Sequence, residues 1–380
     1  MSDLLRTRPA STAEMIAIFS DRAAIGHALA FEATLARAGA AERLIARASA
    51  DAIASACAGS EIDPADLAEE AALAGTLAIP LVKRVRAVLS DEAAAVLHMG
   101  ATSQDVVDTI LMRQTVAAKG LLAIDVGRTC LALYALAERY AAMPAIARTL
   151  LQDALPIGFG LRLAQAAAGI DNAARQLDAE VAANAKIQFG GAAGTRAGLD
   201  GKGAAVAQRM AEELGLAPGV PWHAQRVGVA AIACAVGMLI GALGKLARDV
   251  SLLAQNAVGE AREPAVPGRG GSSAMAHKRN PTGCQVALSA AIRAPGLVAS
   301  ILGGLPQEEE RGLGGWQAEG PALADLFLLA AGSAAAMATV VEGLEIDEAA
   351  IARNLDAAGL GSDIGESEAI VTAILAHHRD

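Results

Sequence analysis

From Val227 to Gly244 the chain carries no charge, and it runs on without a break in rhythm into the helical stretch GKLARDVSLLAQN. A helix that is apolar all round must be buried all round, so it lies either across a bilayer or inside a helical assembly. These residues are largely alanine and glycine, of modest hydropathy, which favours burial in protein, here in the centre of an oligomer. Leu326 to Val341 repeats the pattern. Hydrophobic residues make up 54% of the chain and aromatics only 2%, so the apolar content is aliphatic. Alanine is the best helix former and lets backbones approach closely, and helix packed on helix follows. The expected fold class is all-α, a bundle of long helices.

Helical periodicity predicts long helices over 103–143, 156–186, 222–257, 281–302 and 318–343, with no convincing run of alternating β-branched residues outside short connectors. A lobe of shorter helices, 1–98, precedes this bundle. It is marked by caps such as Asp63 before Pro64, and Ser90 before DEAAAVL. The bundle occupies 99–345, and a last segment, 346–380, holds two short helices. The Gly- or Pro-containing connectors 189–203, 259–271 and 303–315 are the loops available for function. Cys57, Cys130, Cys234 and Cys284 form no CxxC pair, which argues against a zinc site and a disulfide framework. The opening MSDLLRTRPASTAEM lacks the apolar core of a secretory signal, so a cytoplasmic location is expected. His377 and His378 read as a solvated helix end rather than a metal site.

The chemistry concentrates in GSSAMAHKRNP, Gly271 to Pro281. Arg269, Lys278 and Arg279, with His277, stand there without an acid in a chain of net charge −10. A local reversal of field gathers and orients carboxylates, whereas a nucleic-acid partner would want a basic face over the whole domain. Thr102 and Ser103 fall where a long helix begins, so their hydroxyls and the free helix N–H groups form an anion site, with Ser103 the candidate N-cap. Asp105 and Asp108 read as first-turn complements to the helix dipole. In PWHAQR, Arg226 is a candidate bidentate clamp for a substrate carboxylate.

That loop resembles the signature loop of the fumarase/aspartase superfamily, with Ala276 where proline is usual. HMGATSQDVVDT (98–109) and ARTLLQDALPIGFG (147–160) resemble its first and second signature regions. The flanking words PWHAQR, PGRGGSS and GGWQAEGPAL fit the cycloisomerase branch of that superfamily. The resemblance implies a fumarase/aspartase-like long-helix fold and a small polycarboxylate substrate. It implies reversible lactonisation with no metal and no organic cofactor, and a homotetramer with active sites shared between subunits; no nucleic acid and no membrane are involved. Ser272 matches the proton-transfer serine, Lys278 is its candidate helper, and Lys278 and Asn280 match positions that stabilise a carbanion held as an aci-carboxylate. Thr149 and Gln152 match substrate contacts, as does His98. Leu150 replaces a histidine found in relatives that expel water or an amine. Trp316, Gln317 and Glu319 read as family markers, with packing the default for Trp316. The last segment is shorter than the C-terminal domain family members commonly carry. A helix over 103–143 would be about 60 Å long, so Thr102 and Gln152 cannot reach one small substrate within one chain.

Overall fold

The computed structural model describes residues 4–271, 275 and 278–379. Short helices come first: α1 (Leu4–Thr7), a 3-10 turn (Arg8–Ala10), α2 (Ala13–Ile18), α3 (Asp21–Ala41), α4 (Arg47–Ala58), α5 (Pro64–Ala74), α6 (Ala78–Arg86) and α7 (Asp91–Val96). Two of these starts, those of α5 and α7, follow the sequence signals. Asp63 accepts from the Ala65 N–H with Pro64 in the first turn, and Ser90 caps α7 through the Ala93 N–H.

The bundle consists of α8 (Ser103–Arg139), α9 (Phe159–Asn184), α11 (Val227–Leu253), α12 (Thr282–Gly303) and α13 (Gly315–Glu342), with α10 (Gly203–Leu214) packed on α3. The closing α14 (Glu348–Ala358) lies against the first strand of a hairpin, and α15 (Ser367–Arg379) against α9 and α8. Small residues set the helix spacing. A Cβ at Gly244 would stand 2.6 Å from the Ala291 Cβ, and one at Gly237 would stand 2.9 Å from Val298. Either alanine would push α11 and α12 apart.

By length and composition α8, α11, α12 and α13 could each cross a membrane. In this fold α11 and α13 turn their apolar surface inward, with Leu239, Ile240, Leu243, Leu326, Phe327 and Met337 essentially inaccessible. Helix α12 is the least covered, and it leaves Ile292 and Leu302 exposed. His377 is exposed at the helix end as expected, whereas His378 is half-buried, its ring stacked on Tyr134 of α8 with centroids 4.1 Å apart.

Two small antiparallel sheets lie in the connectors between the expected helices, only residues 156–158 falling where helix was expected. The first, β1 (Pro144–Thr149) and β2 (Gln152–Gly158), is a hairpin that carries the second signature. Pro144 disfavours helix for Met143, and α8 has already ended at Arg139. The base of the hairpin is tied to that end by Phe159 N–H to Met143 O (2.7 Å) and Gly160 N–H to Tyr140 O (2.8 Å). The second, β3 (Ala261–Arg262) and β4 (Glu345–Ile346), closes the same end of the bundle. At 1.5 Å per residue α8 is about 55 Å long and α11 about 40 Å.

Candidate active site

At the start of α8 the chain turns through His98 (φ 64°) and Gly100 (φ 73°) before Thr102 takes the extended N-cap conformation. Thr102, not Ser103, is therefore the N-cap, and Ser103 opens the helix half-buried. The Thr102 N–H donates to Asp105 Oδ2 at 3.0 Å. Asp105 is fully buried and also accepts from Gly190 N–H (3.0 Å), Gly191 N–H (2.9 Å) and His223 Nε2 (2.7 Å). It is no exposed dipole complement. It pins the glycine-rich connector to the first signature, and a fold that buries a carboxylate must supply it with donors.

Arg311, from the connector between α12 and α13, reaches the same place. Its guanidinium donates to Thr102 Oγ1 (2.8 Å), Gly191 O (3.0 Å) and Ala192 O (3.0 Å), and it makes no ion pair among the described residues. A full positive charge thus stands beside the N-terminus of α8, where an anion is favoured twice over. Sequence reasoning missed it. In EEERGLGG three acids precede Arg311 and give no hint that its contacts lie 209 and 120 residues away.

Arg226 does not serve as a substrate clamp. It is 1% exposed and spent on two buried acids: Nη1 and Nη2 meet Asp108 at 2.8 Å each, and Nε and Nη2 meet Glu319 at 2.9 and 2.6 Å. Trp222 lies over the guanidinium at 4.5 Å. Burial pushes the Glu319 carboxyl above its usual range, and the adjacent arginine opposes that shift. Asp108, expected as a dipole complement, and Glu319, expected as a family marker, are both partners of Arg226. Trp316 donates from Nε1 to Gly312 O, and Gln317 accepts from the Gly314 N–H, so both shape the start of α13.

His98 is held by Glu32, whose Oε1 lies 2.6 Å from Nδ1. Burial pulls the imidazole down, but the hydrogen bond and charge of Glu32, with Asp105 adding to them, bring it above the ordinary histidine value.

The other two signatures meet at the opposite end. Thr149 and Gln152 pair across the tip of the hairpin and are exposed, as are Leu150 and Leu151 between them (φ 53° and 64°). Leu150 is 97% exposed and Leu151 75%, so the tip projects away from the described residues. Arg148 ties the hairpin to the base of the third signature through Glu260 (2.6 and 3.1 Å), a fully buried acid that also accepts from Asn354 (2.8 Å).

Beyond β3, Glu263 accepts from the Gly283 (3.0 Å) and Cys284 (2.7 Å) N–H groups and so fills the N-terminus of α12 from within. The loop neck closes by Asn280 N–H to Gly270 O (2.8 Å) and Asn280 Nδ2 to Gly271 O (3.3 Å). A cavity of about 690 Å³ opens beside it, lined by Asn256, Arg262, Arg269, Met275, Lys278 and Asn280 among others. Arg279 is drawn off by Glu345 (2.9 and 3.1 Å), whose carboxyl it holds down at about 2. The loop itself carries no acid, as the sequence says, yet acids from other segments neutralise part of its charge. Lys278 is exposed and makes no ion pair among the described residues. Ser272 and His277 lie outside the described residues. Among the described residues no cluster of His, Cys, Asp or Glu has the makings of a metal site.

His98, Thr102, Ser103 and Arg311 thus sit at one end of the bundle, and Thr149, Gln152, Lys278 and Asn280 at the other, about 40 Å away along α11. A model of the lyase family matches residues 7–296. The 3-carboxy-cis,cis-muconate cycloisomerase of Bradyrhizobium diazoefficiens is 46% identical over 351 residues, spanning 91% of this chain and 78% of the relative. That of Pseudomonas aeruginosa is 43% identical over 366 residues, spanning 95% and 79%. The crystal structure of the 3-carboxy-cis,cis-muconate lactonizing enzyme from Pseudomonas putida superposes with a TM-score of 0.92 at 34% identity, over 99% of both chains. The long-helix bundle, the three signature regions and these relatives together place the chain in the lyase family of the fumarase/aspartase superfamily, alongside the 3-carboxy-cis,cis-muconate cycloisomerases.

Proposed function

We propose that this protein catalyses the reversible lactonisation of 3-carboxy-cis,cis-muconate to 4-carboxymuconolactone, a step of protocatechuate breakdown through β-ketoadipate, and that it does so in the cytoplasm. The observation that carries this reading is likeness over nearly the whole chain to enzymes of that name, both in sequence and in fold. One substrate carboxylate oxygen bonds to an alkene carbon, and the displaced π pair moves to the neighbouring carbon, where the adjacent carboxylate holds it as an aci-carboxylate. Ser272 then delivers a proton to that carbon. Lys278 supplies the positive charge that stabilises the intermediate and makes a serine competent in the reverse direction, with Asn280 as a fixed donor. Thr102, Ser103 and His98 hold a second carboxylate, joined by Arg311.

Leu150 supports a lactonising enzyme over a water- or amine-eliminating one. In the reverse reaction a lactone expels a carboxylate, which is already a good leaving group, and in the forward direction the attacking carboxylate needs no base. The two ends of the bundle act on one substrate because each site is assembled from several chains, in a homotetramer that also covers the exposed face of α12. Purified protein mixed with 3-carboxy-cis,cis-muconate should bleach the absorbance of the conjugated diene and yield the lactone. Persistent diene absorbance with well-folded protein would refute the assignment.

A further inference from the structure

We propose that Glu32 is a positioning residue for this reaction, holding His98 by Nδ1 so that Nε2 faces the substrate carboxylate bound at the start of α8. The proposal rests on the reading of His98 as a substrate contact. Glu32 lies on the buried face of α3, 1% exposed, with the buried apolar residues Phe31, Ala33 and Leu35 beside it in the chain. An ionised carboxylate there is expensive unless it is paired. Its Oε1 meets His98 Nδ1 at 2.6 Å, and its Oε2 has no hydrogen-bond partner among the described residues. The acid is therefore committed to the histidine alone.

His98 in turn departs from ordinary backbone geometry, with φ at 64°, in the left-handed region that few non-glycine residues adopt. That turn leaves the ring 20% exposed, and Nε2 makes no hydrogen bond among the described residues. One nitrogen is thus anchored in the core and the other left for a ligand, a few residues before the helix start that carries Thr102.

The charged and titratable groups around the pair are Arg86 from α6, Asp105 from α8 and Cys57 from α4, with Arg37 from α3 acting on Cys57. Cys57 is pushed up to about 12, first by burial and then by Glu32, so it stays a thiol. Asp105 adds to the pull of Glu32 on His98, and Arg86 opposes it. Glu32 thus favours the protonated imidazole, the form in which both nitrogens donate: Nδ1–H to Glu32, Nε2–H to the substrate.

The test uses the full-length enzyme. Glu32→Gln keeps the shape and removes the charge. The His98 imidazole resonance, identified by its loss in His98→Gln, should then titrate at lower pH, and the alkaline limb of kcat/KM should follow it downward. A shift of about one pH unit corresponds to a roughly tenfold loss on that limb, carried mainly by KM. An unmoved His98 titration would overturn the pairing. A shifted titration with an unmoved kcat/KM limb would also overturn the proposal, and it would remove His98 from the site while leaving the lactonisation reading intact. Should Glu32→Gln fail to fold, Glu32→Asp draws the carboxylate back from Nδ1: the His98 titration and the alkaline limb should still move downward together, and a limb that stays in place refutes the proposal.

Discussion

Replacing Arg226 by methionine separates a structural arginine from a substrate clamp. The substitution keeps most of the aliphatic stem and removes a guanidinium that donates at 2.6 to 3.2 Å to Asp108 and Glu319, both buried. Two carboxylates are then left facing each other without a cation. Removing one partner of a buried ion pair costs about 3–5 kcal/mol, and the expected loss of stability lies in that range. The sign of its pH dependence follows from Glu319. Burial raises that carboxyl in the folded protein, so the folded state binds the proton more tightly than the unfolded chain. Its contribution to stability is lost as pH rises from the ordinary glutamate range through the raised value. Arg226 opposes the rise, so the variant should suffer less at about pH 5 than at about pH 8. Urea unfolding at fixed protein concentration, repeated at both pH values, reads the effect, while KM of the folded fraction should stay near wild type. A variant of normal stability whose KM rises tenfold or more would show that Arg226 meets the substrate after all.

Other substitutions probe the chemistry. Ser272→Ala should remove nearly all turnover while leaving substrate affinity within about an order of magnitude, because it deletes a proton donor and little ground-state contact; wild-type-like rates would sink the assignment. Lys278→Met should raise KM and lower kcat together, since its charge meets substrate and transition state alike, and unchanged steady-state constants would contradict that role. Leu150→His, with Leu150→Gln as the volume control, should not accelerate lactonisation. A histidine-specific gain titrating near an imidazole pKa of about 6.5 would show that an acid is wanted there.

Much of this architecture is legible in the sequence because helical periodicity is a local signal. The long helices begin and end within a few residues of where alanine-rich rhythm gives way to glycine or proline, with α12 expected over 281–302 and found over Thr282–Gly303. The hairpin was not legible. Its strands are short, its turn is Leu150–Leu151 rather than a glycine-bearing pair, and the left-handed conformation there is imposed by the pairing of Thr149 with Gln152. At the site, the sequence tells which residues can bear charge but not what they face. Arg226 carries the same letter whether it clamps a substrate or neutralises Asp108 and Glu319, and those partners lie 118 and 93 residues away. Glu32 and Arg311 were missed for the same reason, since each acts through a contact that only the packed bundle creates.

In the proposed enzyme, residues about 40 Å apart in one chain act on a single substrate because different chains supply them. Subunit complementation tests this most directly. Thr102→Ala/Ser103→Ala protein and Ser272→Ala protein, each inactive alone, are denatured together in equal amounts and reassembled. If the first signature and Ser272 reach a site from different subunits, random mixing leaves about a quarter of the sites free of both lesions, and diene turnover should return to about that fraction of wild type. Hybrids that assemble, as verified by differential tagging, yet remain inactive would mean that one chain supplies both segments to each site.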